Sequence, residues 1–513
     1  MVKDTKATTS PGSRSLGASG LSSTKDTKGV TAEKDEFSDW FTQIMLKAEL
    51  ADYSSVSGMM VFRPGAYEIW EKIKEEVDKR FRKLGIKNCY FPLFISEKTF
   101  DKLKEHTSGF APEVAWVTHG GDTKLSERLA VRPTSETIMY ESYAKWIRSW
   151  RDLPLKLNQW NNVVRWEFKH PVPFLRTREF LWNEGHTAYA TAEEAKAEGK
   201  DIISIYDSVC RDFLALPSLI GRKSRKETFP GAEYTISMEF YLPNGRAVQG
   251  PDFHYDGQHY AKAFGIKFLN KKGKEEFAYQ NTFAISTRML GVMFAVHSDS
   301  KGLILPPRIA PMKVVVVPIL FDDSKKEVLK MAGEIARKVG GVLDSREEYK
   351  PGFKFNEWEL KGVPIRIEVG PKDLEKGTAV VVRRDSGEKE LVKIKDLGKK
   401  VEKVLEEIQE ELFNRAEKML KGAVVSCGSL SELKKAIDKK KIGLVGLCGK
   451  EKCEDELKFA TGGAKVLNLV DGSGGVDLAG GVGGLGGVGA GGFGRCVVCG
   501  EKAEYIARVG KSY

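Results

Sequence analysis

The stretch Asn161–His186, NNVVRWEFKHPVPFLRTREFLWNEGH, restricts the possible folds more than any other part of the chain. It reads as two short strands joined by a basic loop. The loop carries Pro171 and Pro173, which cannot donate to a strand ladder and so end the pairing on either side. Alternation puts Val163, Arg165 and Glu167 on one face of the first strand, with Val164, Trp166 and Phe168 on the other. In the second strand Phe180, Trp182, Glu184 and His186 share a face. If the strands pair, one sheet surface holds a guanidinium, carboxylates, two aromatic rings and an imidazole, with Arg176 and Arg178 in the loop above it. Such a surface suits a nucleotide, the rings taking the base and the arginines the phosphates. A solvated charged sheet face is the other meaning of the same pattern.

A chain of 513 residues is too long for one ordinary core and predicts about three domains. Its formal charge of +11, from 82 basic and 71 acidic residues, favours an anionic partner such as nucleic acid. Of seven cysteines, five follow residue 420, a clustering that points to metal rather than disulfides and to a reducing, cytoplasmic compartment. No apolar run reaches membrane-spanning length. Residues 1–34 are rich in Ser, Thr, Gly and Lys without an apolar core, which predicts a disordered tail rather than a secretory signal.

Helical spacing of Phe37, Trp40, Ile44 and Ala48 predicts a helix running on towards Gly58. A second opens at Pro64, carries Ile69, Ile73, Val77, Phe81 and Leu84 on one stripe, and stops at Gly85. NCYFPLFI reads as a buried strand, and LAVRPT as a strand entering the helix SETIMYESYAKWI. There Thr134 or Ser135 suits an N-cap, and Glu136 complements the helix dipole. Residues 233–308 read as further strands around AVQGPDFHYDGQ, with Gln249, Asp252 and His254, and QNTFAISTRMLGVMFAVH, with Arg288 ahead of an apolar helix. An arginine at a helix start opposes the dipole, so it serves an external anion or sits solvated on the surface. Pro306, Pro307 and Pro311 mark a boundary, after which strands and helices alternate as in a small α/β domain, with a hairpin turning at Asp385–Gly387. A long helix follows from about Lys399 to Lys421.

Cys448 with Cys453, and Cys496 with Cys499, form two thiolate pairs that suit a closed, structural zinc site. The glycine-rich run between them contains Gly481-x-Gly483-x-x-Gly486, but no strand precedes it and no helix follows, so it reads as a linker and not a dinucleotide site. Cys427 is left as a small core residue.

With these residues assembled, the chain resembles the class II aminoacyl-tRNA synthetases, specifically prolyl-tRNA synthetases of the archaeal and eukaryotic type, from about Phe37 to Tyr513. Phe62–Pro92 is similar to the family's first motif, a dimer interface. Arg165-Trp-Glu167 and its loop resemble the second motif, the segment ending at Arg288 the third, and RPTSET the loop that receives the amino acid. The resemblance implies an α+β fold. A catalytic domain built on an antiparallel sheet would span 35–308, an α/β anticodon-binding domain 309–398, and a C-terminal α+β zinc domain 399–513, with its glycine-rich insert at 472–494. It further implies ATP-dependent attachment of L-proline to tRNA(Pro) by a cytoplasmic homodimer with no membrane partner, using Mg²⁺ and structural Zn²⁺. An inactive RNA-binding paralogue and a class II enzyme for another small amino acid are the alternatives.

Carried over residue by residue, the resemblance gives Arg165 the ATP α-phosphate and the prolyl carboxylate, and Arg288 the nucleotide beside the γ-phosphate. Glu167 would take the adenine amino group and Phe180 its ring. Arg176, Thr177 and Thr287 would also contact ATP, and Gln249 would hold ATP and its magnesium. Thr134, Glu136, Trp182, His186 and His254 would form the proline pocket. Lys354, Glu357 and Arg366 would serve the anticodon. The chain departs from the pattern at Asp252, where relatives usually carry Thr, and at Thr282, Phe283 and Ala284, where they usually read Ser-Trp-Gly. Some members insert an editing domain between the second and third motifs. The interval His186–Arg288 is too short for one, which predicts no proofreading in cis.

Overall fold

The computed structural model describes residues 29–106, 113–167, 171–470 and 493–513. The tail through residue 28, Phe168 and the glycine fingerprint at 481–486 lie outside them. Among the described residues no helix is long and apolar enough to cross a membrane.

The predicted strand pair is present. Leu155–Val164 and Glu179–Tyr189 run antiparallel, with Val163 opposite Phe180, Asn161 opposite Trp182 and Leu157 opposite His186. Successive antiparallel pairings then join Glu179–Tyr189 to Tyr279–Ala284, Arg246–Gly257, Tyr234–Tyr241 and Leu219–Arg222. Lys87–Asn88 pairs in parallel at the far edge. On one face of this sheet lie the helices Pro64–Lys83 and Ala192–Asp212, whose apolar stripes enter the largest core with Met238, Phe253 and Phe283. On the other, the helix Glu136–Trp146 packs Tyr140 and Tyr143 against Ala188 and Tyr260.

Several local expectations change. The first helix covers only Phe37–Lys47, and the chain then forms a hairpin, Ala51–Tyr53 with Met60–Phe62, turned through Gly58 at φ 83°. The apolar period that suggested a longer helix ends with Ala48. NCYFPLFI is two fragments, Lys87–Asn88 and Phe94–Ser96, rather than one buried strand, and Tyr90 between them is 70% exposed. Pro92 breaks the ladder.

Val314–Pro318 is the middle of a parallel trio with Val342–Leu343 and Ile365–Val369, and the hairpin Thr378–Arg383/Lys389–Lys393 completes a five-stranded sheet. The long helix, Leu397–Ala423, buries Leu397, Val401, Val404, Ile408 and Leu412 in this sheet's core, so by packing it belongs with the strands before it. The domain limit expected at 398/399 therefore cuts through a packed unit. The C-terminal strands are not a separate sheet. Tyr505–Ser512 pairs with Ile442–Leu447 and also, in parallel, with Arg246–Ala247, extending the main sheet to 11 strands.

His297 ends the helix Arg288–His297 with its ring buried, Nε2–H donating to the Leu214 carbonyl at 2.9 Å. Burial pushes its pKa down from 6.5 to about 4. A depressed folded pKa contributes stability that is present above pH 6.5 and lost as pH falls through 4, up to about 3 kcal/mol. Urea unfolding at pH 7 and pH 4.5 will show a shallower pH dependence in His297→Asn, which keeps a donor but does not titrate.

Candidate active site

A cavity of about 430 Å³ opens on the sheet face beneath the basic loop. Thr134, Glu136, Arg165, Arg176, Thr177, Phe180, Trp182, His186, Gln249, His254 and Arg288 all line it. They come from segments separated by more than a hundred residues, and the register of three strand pairs brings them together. His254 lies opposite Thr282, and Thr282 opposite His186, so one cross-strand row forms the wall.

At one end the chemistry is cationic and aromatic. The Arg165 guanidinium lies 5.4 Å from both the Phe180 and Trp182 rings, and its Nε donates to the Pro133 carbonyl at 3.2 Å. Arg288 donates from Nε to Leu175 O at 3.1 Å and from Nη1 to Gln249 O at 3.0 Å. The Leu175 carbonyl is aimed there by Phe174, a non-glycine residue at φ 58° whose ring is clamped between Phe62 and Phe294. Burial, and then the charge of Arg165, lower the pKa of Arg288 from its ordinary value, as expected for two guanidinium groups sharing one hollow.

At the other end are buried hydroxyl, carboxylate and imidazole groups. Thr134 and Ser135 do not cap the helix Glu136–Trp146; the N-cap, Ser135, makes no side-chain bond to the helix backbone. The Thr134 hydroxyl instead contacts the Glu136 carboxylate and donates to Glu184 at 3.1 Å, and Glu184 also accepts from Ser135 N at 2.9 Å and Asn161 Nδ2 at 2.9 Å. Glu184 is thus the hub that fixes the RPTSET turn. Alternation predicts its face, but nothing local in the sequence points to its contacts with Thr134 and Ser135. His186 is oriented by the Tyr140 hydroxyl, 3.2 Å from Nδ1. His254 sits 2.7 Å from the Thr235 hydroxyl and 3.5 Å from Asp252.

Asp252 accepts from Gln249 Nε2 at 2.9 Å, while its Oδ1 is buried without a partner. Burial alone would raise its pKa, but His254 and Gln249 outweigh that and hold it below the usual value. Phe283 packs its ring over Gly185, where an added Cβ would lie 1.9 Å from a ring carbon, and edge-on to Phe81 at 5.4 Å.

Three expected residues stand elsewhere. Glu167 lies beyond the strand, which ends at Val164, and does not line the cavity, although its Oε2 is buried without a partner. Thr287 is fully buried, with its hydroxyl donating to Leu181 O at 3.2 Å, and so anchors Arg288 rather than facing the hollow. In the loop, Arg178 turns away from the cavity, donating to Ser57 O at 2.9 Å and covering Trp166 at 4.5 Å. The segment 223–230 contributes Lys223, Phe229 and Pro230 to the lining, and nothing in its charged sequence announced this.

In the five-stranded unit Lys354 is buried against Asp344, and Arg366 is paired with Glu368 at 2.9 Å. Glu357 accepts from Arg346 at 2.9 Å. Beside them, Tyr349 and Phe353 stack at 4.5 Å with Arg346 over the Tyr349 ring at 5.1 Å.

The sulfur atoms of Cys448, Cys453, Cys496 and Cys499 lie within 4.8 Å of one another. The Cys448–Cys453 and Cys448–Cys499 separations of 3.6 Å approach the roughly 3.8 Å edge of a tetrahedron with 2.3 Å Zn–S bonds. Cys427 is buried in the neighbouring core.

Residues 116–297 match the class II tRNA synthetase core domain (G, H, P, S and T), residues 313–404 the anticodon binding domain, and residues 430–513 the C-terminal domain of prolyl-tRNA synthetase. The chain is 47% identical to the bifunctional glutamate/proline-tRNA ligase of Mus musculus, with 84% of the chain aligned but only 30% of that relative's length spanned. It is 42% identical to the proline-tRNA ligase of Cenarchaeum symbiosum, over 94% of this chain and 99% of the other. A crystal structure of prolyl-tRNA synthetase from Cryptosporidium parvum, complexed with halofuginone and AMPPNP, superposes with a TM-score of 0.87 at 40% identity, covering 96% of this chain and 98% of that one. With the three family domains in order and the archaeal relative matched almost end to end, the chain belongs to the class II prolyl-tRNA synthetase family.

Proposed function

We propose that the chain attaches L-proline to tRNA(Pro) through a prolyl-adenylate. The observation that carries this reading is a single cavity with Arg165 and Arg288 at one end and Thr134, Glu136, His186 and His254 at the other. The proline carboxylate attacks the α-phosphorus of ATP, the bond to the β-phosphate oxygen breaks, and pyrophosphate leaves. A ribose hydroxyl of tRNA then attacks the adenylate carbonyl and releases AMP. The nucleophile is already an anion, so the protein needs to align it and offset charge at phosphorus rather than deprotonate it.

Arg165 holds the α-phosphate and the prolyl carboxylate, Phe180 the adenine, and Arg176, Thr177 and Arg288 the remaining phosphate and ribose groups. Glu136 with Thr134 takes the charged imino nitrogen, and Trp182, His186 and His254 enclose the ring. Gln249 and the unpartnered Asp252 oxygen beside it fit the oxygen donors a magnesium ion needs. When bound, that ion neutralises phosphate charge. The four-cysteine cluster fits zinc as a structural crosslink with no open position.

For tRNA, the stacked Tyr349–Phe353 pair under Arg346 offers an aromatic and cationic surface. Lys354 and Arg366 act behind it, setting the network from which Glu357 and Arg346 project. Homodimer formation through Phe62–Pro92 is supported by the exposure of Tyr67 and Tyr90 there. The paired free cysteines support work in a reducing compartment, the cytoplasm.

Exchange of labelled pyrophosphate into ATP tests the activity, with proline, alanine, cysteine and threonine offered in turn. Exchange is expected to be strongest with proline, and a stronger signal with threonine would overturn the assignment. A missing methylene is worth only about 10–200-fold in selectivity, so alanine is activated at a low level. Because the interval His186–Arg288 is too short for an editing insert, alanyl-tRNA(Pro) supplied to the purified chain should persist at its uncatalysed lifetime. Rapid hydrolysis would contradict this.

A further inference from the structure

Segment 223–230 links the strands Leu219–Arg222 and Tyr234–Tyr241 and forms one rim of the cavity, presenting Lys223, Lys226, Phe229 and Pro230 to it. It contains no helix or strand; Thr228 N donates to Ser224 O at 2.9 Å within it, and Phe229 N donates to Thr235 Oγ1 at 3.1 Å on the strand that follows. The Lys223–Glu239 pair at 2.6 Å ties its first residue to its own sheet, and four further side-chain bonds run to the C-terminal unit. Ser224 Oγ donates to Glu454 at 2.9 Å, Lys226 pairs with Asp455, Lys465 donates to Glu227 at 2.9 Å, and Lys223 Nζ donates to Leu467 O at 2.7 Å. Glu454 and Asp455 follow Cys453 directly in the helix Glu451–Ala460, and Glu454 is further held by the Tyr505 hydroxyl at 3.3 Å. Lys465 and Leu467 lie on the next strand, Lys465–Leu469.

We propose that Ser224, Glu227, Glu454 and Lys465 are positioning residues for the amino-acid pocket, through which the four-cysteine unit holds the 223–230 rim in its closed shape. This rests on the reading of the cavity as a proline site and deepens it. A segment without helix or strand costs about 1–2 kcal/mol of backbone entropy per residue to order. Bonds from a rigid neighbour meet that cost before the substrate arrives, so binding does not have to. The bridge touches the amino-acid rim, whereas Arg165, Phe180 and Arg288 are carried by other segments, just past one strand, on a second strand and at a helix start. Loosening it should therefore weaken proline and spare ATP.

The test uses the full chain carrying Ser224→Ala with Lys465→Ala. Neither residue lines the cavity or neighbours a cysteine, and zinc content is measured alongside. Loss of one hydrogen bond to a charged group is worth about tenfold, so the KM for proline in pyrophosphate exchange should rise about tenfold or more. The kcat and the KM for ATP should stay within about twofold. Hydrogen exchange across 223–230 should speed up, and Ser224→Ala with Lys465→Arg should recover part of both effects. Stripping metal from the unmodified chain with a chelator should accelerate exchange in 223–230 together with Glu451–Ala460, while Glu179–Tyr189 keeps its protection.

An unchanged proline KM with unchanged exchange in 223–230 overturns the proposal. So does metal removal that loosens Glu451–Ala460 and leaves 223–230 protected. Absence of proline-dependent exchange in the unmodified chain would instead sink the functional reading, and the hydrogen-exchange arms would still decide the bridge.

Discussion

Replacing Arg165 with alanine is expected to lower proline-dependent pyrophosphate exchange by about 10²–10³-fold, the cost of one preorganised electrostatic donor. Among the described residues its side chain makes one hydrogen bond within the protein, from Nε to Pro133 O. The two terminal nitrogens are therefore left for a ligand, and the Phe180 and Trp182 rings keep the fork in place. Arg288 is a less clean probe, because its Nε and Nη1 already hold Leu175 and Gln249, and removing it disturbs the wall as well as the charge. Arg165→Lys should recover little, since an ammonium is a point charge and cannot bridge two anionic groups in a planar fork. The catalytic sheet should be intact in both variants, as judged by circular dichroism. Exchange in Arg165→Ala within tenfold of the unmodified chain would remove Arg165 from the machinery.

The second large effect is on stability. Glu239→Ala is expected to cost about 3–5 kcal/mol, because it strands a buried ammonium. Lys223 and Glu239 pair at 2.6 Å with side chains only 3% and 1% exposed. The Leu467 carbonyl accepts a second bond from Lys223, but it carries no charge to balance the one left behind. Restoring neutrality should restore stability, so Lys223→Met combined with Glu239→Leu is expected to unfold at a urea concentration close to that of the unmodified chain, well above the single variant. A single variant within about 1 kcal/mol of the parent would mean that water reaches the lysine.

Much of the site was legible in the Asn161–His186 stretch because alternation is a local property: Phe180, Trp182, Glu184 and His186 share a face whatever the rest of the chain does. The helix from Pro64 to the Gly85 stop is legible for the same reason, with Pro64 at its first turn and Gly85 at φ 76°. Local reading misled where a residue had two uses. Thr134 and Ser135 look like caps, yet both are spent on Glu184, which comes from a strand some fifty positions away. Thr287 sits beside Arg288 in the chain, but the start of the helix turns its hydroxyl towards Leu181. Arg176 and Arg178 are indistinguishable in the loop. One lines the cavity, and the other goes to Ser57 and Trp166, because only the fold sets the hairpin at Gly58 beside it.

From the amino acids alone came the kinds of element, the paired thiols at a spacing that suits a metal, and most of the polar groups that line the cavity. Each of these depends on side-chain chemistry and on periods of a few residues. The tertiary structure decided the rest: that Tyr505–Ser512 extends the catalytic sheet, that Leu397–Ala423 packs with the strands before it, and that the rim at 223–230 is gripped by residues beyond 450. Contacts such as Lys223 to Leu467, 244 positions apart, leave no periodic trace in a single chain. They exist because burying a charge or an open backbone carbonyl is tolerable only where folding supplies a partner.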